Sequence, residues 1–221
     1  MKTVLFIPIK LNNQRLPGKN LMHLDGRPLC DYIFSTVQGI DLIDEKYVYC
    51  SDERIVPYIP DGISFLKRDA CLDGNDVKGT EIIKHFLRDV QADIYILAHV
   101  TQPFTKPQSI DKALKKVINE GFDSAFSAIE IQDYCWYMGK PLNYSMDNLV
   151  TTQNLEPVYM ETGAFFIFKR EVFESTGRRI GSKPYMHVVD QFERIDIDTA
   201  DDFALAEVAA VYLVAKEDKQ R

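Results

Sequence analysis

The sequence carries only four cysteines in 221 residues, Cys30, Cys50, Cys71 and Cys135, and they are widely scattered. None stands in a paired C-x-x-C spacing, which argues against a zinc site or a disulfide framework and fits free thiols in a reducing compartment. Positive charge is also in short supply, with 26 Lys and Arg against 33 Asp and Glu and a net charge of -7. That balance does not suit broad adhesion to nucleic acid or to an anionic membrane. The longest apolar runs fall far short of a membrane span. Met1 leads directly into a strand and leaves no room for a signal peptide, so a cytoplasmic protein is expected. No G-x-G-x-x-G follows the first strand, which sets aside a nicotinamide dehydrogenase. The four histidines, His23, His85, His99 and His187, show no ligand spacing and read as packing or surface. Repeats, low-complexity segments and linkers are missing too, and a single domain over 1–221 is the simplest division.

What the chain does have is a strong beginning. Val4-Leu5-Phe6-Ile7-Pro8-Ile9 is apolar on successive residues, as a strand buried on both faces reads. A polar loop with three cations, Lys10, Arg15 and Lys19, follows at once. Such a loop leaves at the carboxyl end of a sheet, where open α/β proteins bind ligands. Its cations, with amides opened by Pro17-Gly18, suit a polyphosphate; a surface loop that is merely basic is the alternative.

Further strands are expected over 46–50, 63–66, 94–100, 123–129, 161–168 and 194–198. Helices are expected over 28–38, over 107–119, and over 199–216 behind a capping-box-like start at Thr199. Another helix opens with Thr80 as its N-cap and carries Ile82, Ile83, Phe86, Leu87 and Val90 at helical spacing. Strands alternating with helices point to a three-layer α/β/α fold around a mostly parallel sheet. Between 132 and 160 the rhythm changes. Aromatics are frequent there, turn signals recur, and extended hairpins projecting from the sheet are expected. A dimer contact is the favoured role, with a substrate wall or ordinary packing as alternatives.

In Ile195-Asp196-Ile197-Asp198-Thr199 two carboxylates alternate with apolar residues, so a strand would turn both to one face. Paired hard oxygen ligands hold Mg2+ against substrate phosphates. The competing reading is a solvated strand end with Asp198 helping the helix cap. A phosphate loop in the same chain favours the metal.

These pieces resemble a known family. Ile7-Pro8, Arg15-Leu16-Pro17-Gly18-Lys19-Asn20, Gly26-Arg27-Pro28-Leu29, Ser51-Asp52, Arg68, Gln102-Pro103, Gly163-Ala164 and Ile195-Asp196-Ile197-Asp198-Thr199 follow the order seen in acylneuraminate cytidylyltransferases. That group is related more distantly to CMP-Kdo synthetases. The resemblance implies a Rossmann-like nucleotidyltransferase sheet with the 132–160 excursion reaching a partner in a homodimer. It implies attack by a hydroxyl of an acidic sugar on the α-phosphate of CTP, with Mg2+ assistance and loss of pyrophosphate. Lys19 matches the lysine on the triphosphate, with Lys10 and Arg15 as further cations of the catalytic loop. Pro8, Ile9, Asn20, Ser51, Asp52 and Arg68 fall on the nucleotide side, with Thr80 as a loosely aligned hydroxyl. Asp196 and Asp198 match the metal-binding aspartates. Gln102, Phe104, Glu161, Thr162 and Gly163 fall on the acceptor side.

The chain also departs from the pattern. Lys10 replaces an arginine, which keeps charge but loses bidentate phosphate geometry, and Leu11-Asn12 replaces glycines. Phe104 stands where a threonine is usual, Thr152 where an arginine is, and Glu161-Thr162-Gly163 where Asn-Gly is. A carboxylate at Glu161 repels an acidic sugar unless it contacts an amine or hydroxyl.

Overall fold

The computed structural model describes residues 1–218. Its frame is one seven-stranded sheet. In chain order the strands are β1 (Thr3–Ile9), β2 (Glu45–Cys50), β3 (Ser64–Lys67), β4 (Ile94–Ala98), β5 (Ser124–Ile131), β6 (Val158–Lys169) and β7 (Pro184–Val188). Their order across the sheet is β7-β5-β6-β4-β1-β2-β3. All pairs are parallel except those of β6, which runs antiparallel to both β4 and β5. The helices are α1 (Leu29–Gln38), α2 (Gly79–Asp89), α3 (Pro107–Asn119), α4 (Arg170–Thr176) and α5 (Ala200–Asp218). Among the described residues no helix is long and apolar enough to cross a membrane.

The pleat explains the three layers. Alternate residues of β1 go to opposite faces. Leu5, Ile7 and Ile9 join Ile33, Leu114 and Phe203, from α1, α3 and α5, in one core. Val4 and Phe6 join Ile83, Phe86 and Phe173, from α2 and α4, in the other. Phe6 and Phe86 stack with ring centroids 4.1 Å apart. Both faces of β1 are therefore dry, which is why its sequence is an unbroken apolar run.

Register sets up the site. Ile9 pairs with Cys50 and Cys50 with Lys67, so the carboxyl ends of β1, β2 and β3 lie level. The residues that follow them, Lys10, Ser51 and Arg68, emerge side by side along one rim.

Two expectations are corrected, and two elements are added. The segment 194–198 is not a strand. Arg194 ends a turn and 195–198 runs on without regular structure, with Ile197 buried and its N–H donating 2.8 Å to the Thr101 carbonyl, and no ladder is seen among the described residues. Thr80 is not a cap: α2 starts at Gly79, and Lys78 stands at its N-cap with no side-chain cap bond. The stretch after β6 contains α4 and the edge strand β7, neither of which the sequence pattern announced. Both are short, at seven and five residues. Within 132–160 a small ribbon does form, pairing Trp136–Tyr137 with Lys140–Pro141 through Met138 and Gly139 at positive φ.

Candidate active site

Gly18, at φ 71, turns the loop after β1 into a short 3-10 turn, Lys19–Leu21, and so drives Lys19 inward. Lys19 is 6% exposed. Its Nζ donates to the Ile197 carbonyl at 2.5 Å and to Asp198 Oδ1 at 2.8 Å. Arg15, largely exposed, reaches the other oxygen of Asp198 at 2.9 Å. Lys10 Nζ donates to Asn75 Oδ1 at 2.9 Å. A cleft of about 350 Å3 opens between Lys10, Arg15, Lys19 and Asn75. The three cations of the loop thus converge on one hollow, and an aspartate from the far end of the chain pairs with two of them.

Asn20 is buried and braces the loop, its amide nitrogen donating 2.8 Å to the Lys10 carbonyl while its Oδ1 has no partner. Asp196 lies two residues from Asp198 and keeps exposed surface. The protein packed around it displaces water and raises its carboxyl above the ordinary range; the nearby Asp198 charge adds to this, against a hydrogen bond from Thr101. Among the described residues no group of three or more His, Cys, Asp or Glu gathers at one point.

Beside this hollow sits Arg68, its side chain 2% exposed. It donates to the Ile9 carbonyl at 3.2 Å and to Asp73 Oδ1 at 2.5 Å, while its Nε is unpartnered. Ser51 donates to the other oxygen of Asp73 at 2.5 Å. Asp73 therefore ties the ends of β2 and β3 together, and the sequence pattern did not single it out. Pro8 pairs with Tyr49 inside the sheet, and Ile9 contributes its carbonyl to Arg68. Asp52 is engaged locally: it caps a 3-10 turn and binds Arg54, whose guanidinium holds its carboxyl at about 2.

The acceptor-side residues form a second cluster around the bulge in β6. Gln102, 1% exposed, donates its amide nitrogen to the Thr162 carbonyl and leaves its Oε1 unpaired. Thr162 Oγ1 donates to Ser127 Oγ at 2.8 Å. Gly163, at φ +81, turns its carbonyl onto His99 Nδ1 at 2.6 Å, which assigns the proton of that neutral ring to Nδ1. Burial lowers the His99 pKa, reinforced by the Arg179 charge and opposed by that hydrogen bond. Glu161 pairs with Arg179 at 3.0 Å. With Thr80 and Arg179 it borders a cleft of about 540 Å3. Phe104 is not part of this cluster: it packs edge-on to Tyr32 and lines a separate hollow toward α5.

Sequence reasoning therefore found the Lys10, Arg15, Lys19 and Asp198 constellation, but it missed Asp73, Asn75, Lys78 and Arg179. The only signal for Arg179 was a dibasic pair, Arg178-Arg179, between two glycines.

Residues 4–204 match the profile of the cytidylyltransferase family. The chain is 26% identical over 214 residues to an N-acylneuraminate cytidylyltransferase of Streptococcus agalactiae serotype V, covering 92% of this chain and 52% of that protein. It is 26% identical over 115 residues to a 3-deoxy-manno-octulosonate cytidylyltransferase of Escherichia coli, covering 52% of this chain and 45% of the other. The chain thus spans about half the length of these relatives. A solved CMP:2-keto-3-deoxy-manno-octonic acid synthetase, complexed with CTP, superposes with a TM-score of 0.70 at 16% identity, over 98% of this chain and 100% of that one, and shares its fold. On the match across 4–204, the chain belongs to the cytidylyltransferase family.

Proposed function

We propose that this chain transfers the cytidylyl group of CTP to a hydroxyl of an acidic, nonulosonic acid-like sugar. The hydroxyl oxygen bonds to the α-phosphorus as the bond from phosphorus to the bridging oxygen breaks. Pyrophosphate departs with that electron pair, and the proton of the hydroxyl passes to solvent. The observation that carries the reading is the buried Lys19, joined to Arg15 through Asp198, with both cations lining the same hollow as Lys10. Phosphoryl-type transfer is mainly positioning and neutralisation of charge on phosphate oxygens, and these cations supply both. Arg68 and Ser51, held by Asp73 at the adjoining rim, would border the nucleoside.

Asp196 and Asp198 fit a hard divalent cation. Asp198 is paired with Lys19 and Arg15, which line the hollow, Asp196 lies close enough to feel the Asp198 and Lys19 charges, and Mg2+ is commonly bound by one or two carboxylates with substrate phosphates completing its shell. When bound there, Mg2+ would neutralise phosphate charge and acidify the attacking hydroxyl. The exposed Trp136, Tyr137, Met138, Leu142, Met146 and Leu149 support a homodimer contact in the 132–160 excursion. Four unpaired cysteines agree with a cytoplasmic setting.

The test is pyrophosphate release with CTP and Mg2+ against N-acetylneuraminate, legionaminate-like and pseudaminate-like sugars, Kdo and an aminophosphonate. Turnover with a sugar acid that disappears in Lys19→Ala and Asp198→Ala supports the proposal. Affinity for CTP no better than for ATP, GTP or UTP overturns it.

A further inference from the structure

Resting on the reading of an acidic-sugar acceptor, we propose that Arg179 and Glu161 form an acceptor-reading pair that selects a sugar bearing both a carboxylate and a free amine. The cleft beside the β6 bulge has three cations on its walls, Lys78, Arg178 and Arg179, against one carboxylate, Glu161. Arg179 is built in rather than lying on the surface. Its guanidinium lies over the Phe166 ring, 3.5 Å from the centroid, and Nη2 donates to Glu161 Oε1 at 3.0 Å. Glu161 is its one hydrogen-bond partner among the described residues, so Nε and Nη1 still have donors to offer. The same fork reaches the start of α2, where a Cβ added at Gly79 would lie 4.0 Å from Nη1. The first turn of that helix has no side-chain cap and adds a positive potential to the same space.

A half-buried guanidinium with one carboxylate partner is under-satisfied, since five N–H donors in a planar fork match a second carboxylate side-on. Burial depresses the Arg179 pKa, with Glu161 opposing it. Gln102, which donates to the carbonyl of Thr162 next to Glu161, has a buried Oε1 with no partner among the described residues. The two faces of the pair therefore ask for opposite groups. Arg179 takes the sugar carboxylate, and Glu161, whose second oxygen has no partner among the described residues, takes an ammonium.

The experiment uses two probes that cannot react: the methyl glycosides of neuraminate and N-acetylneuraminate, which differ only in whether the amine is free. Titration calorimetry on the full chain, with and without CTP and Mg2+, should show the free-amine glycoside binding about tenfold tighter, as one charge-assisted bond predicts. Glu161→Gln should bring the two glycosides level. Arg179→Met, which keeps apolar contact with Phe166, should weaken both by about tenfold and leave CTP affinity within about twofold. Equal affinities in the wild type, no binding of either glycoside, or Arg179→Met losing CTP rather than glycoside affinity would each overturn the pair's role. Loss of CTP preference alone would instead defeat the nucleotidyl-transfer reading, because the glycoside comparison is also made without nucleotide.

Discussion

Lys19 Nζ lies 2.8 Å from Asp198 Oδ1, although 179 positions of chain separate the two residues. The cation assigned to phosphate and the carboxylate assigned to metal neutralise one another, with Arg15 on the carboxylate's second oxygen. If the site holds Mg2+ and CTP as proposed, nucleotide and metal would enter together, each releasing the other's ligand. Asp198→Asn should lower CTP affinity about tenfold in Mg2+ yet leave it equal or higher in EDTA, where two freed cations face the phosphates. Calorimetry in the two buffers checks this; an equal loss in both would refute the exchange.

Gly163 holds φ +81 and points its carbonyl at His99 Nδ1. A Cβ there would stand 3.8 Å from Gln102 Nε2, an ordinary contact, so space is not the obstacle. The cost of Gly163→Ala is the left-handed backbone itself, roughly 1–2 kcal/mol. Thermal unfolding should show Tm lower by roughly 2–8 °C.

Asp123 accepts from the backbone N–H groups of Ser182 and Lys183, each at 2.8 Å, and from Ser124 Oγ at 2.7 Å. Burial pushes its carboxyl up, but these donors outweigh it and hold the pKa below the ordinary 3.8. Because the folded-state value is depressed, the stabilisation is present above the unfolded pKa and disappears as pH falls through the folded one. Asp123→Ala should cost about 2 kcal/mol at neutral pH, with the gap to wild type narrowing as acid carries the pH below the ordinary carboxylate range. Urea midpoints at neutral and acid pH test the sign.

Thr199 and Asp202 form a reciprocal cap on α5. The Thr199 N–H donates to Asp202 Oδ2 at 2.8 Å, and the Asp202 N–H to Thr199 Oγ1 at 3.3 Å. Asp202 Oδ2 also takes the Asp198 N–H at 3.1 Å, which ties the cap to the site. Thr199→Ala should cost about 1 kcal/mol of stability. Asp202→Ala should cost at least as much and also weaken Mg2+-dependent CTP binding, whereas Thr199→Ala should leave that binding closer to wild type.

The sequence by itself determined the parts whose signal is local. The run over 4–9 reads as a doubly buried strand because both of its faces are dry, and Pro107 with an apolar stripe marks α3 over its whole observed length. The loop cations and the Thr199 cap were legible for the same reason, since charge density and capping are written within a few residues. Tertiary structure alone decided the rest. Alternation at Ile195 and Ile197 imitates a strand, but a strand exists only where a neighbour completes its ladder, and here Ile197 finds the single Thr101 carbonyl. The reverse holds for β7, which at five residues is too short for a clear pattern and is a strand because β5 offers an open edge. Asp73 under Arg68, and Arg179 between Phe166 and Glu161, are likewise products of register and crossing chain. A side chain's partner across the fold is set by which ends the sheet brings level, and no local spacing encodes that.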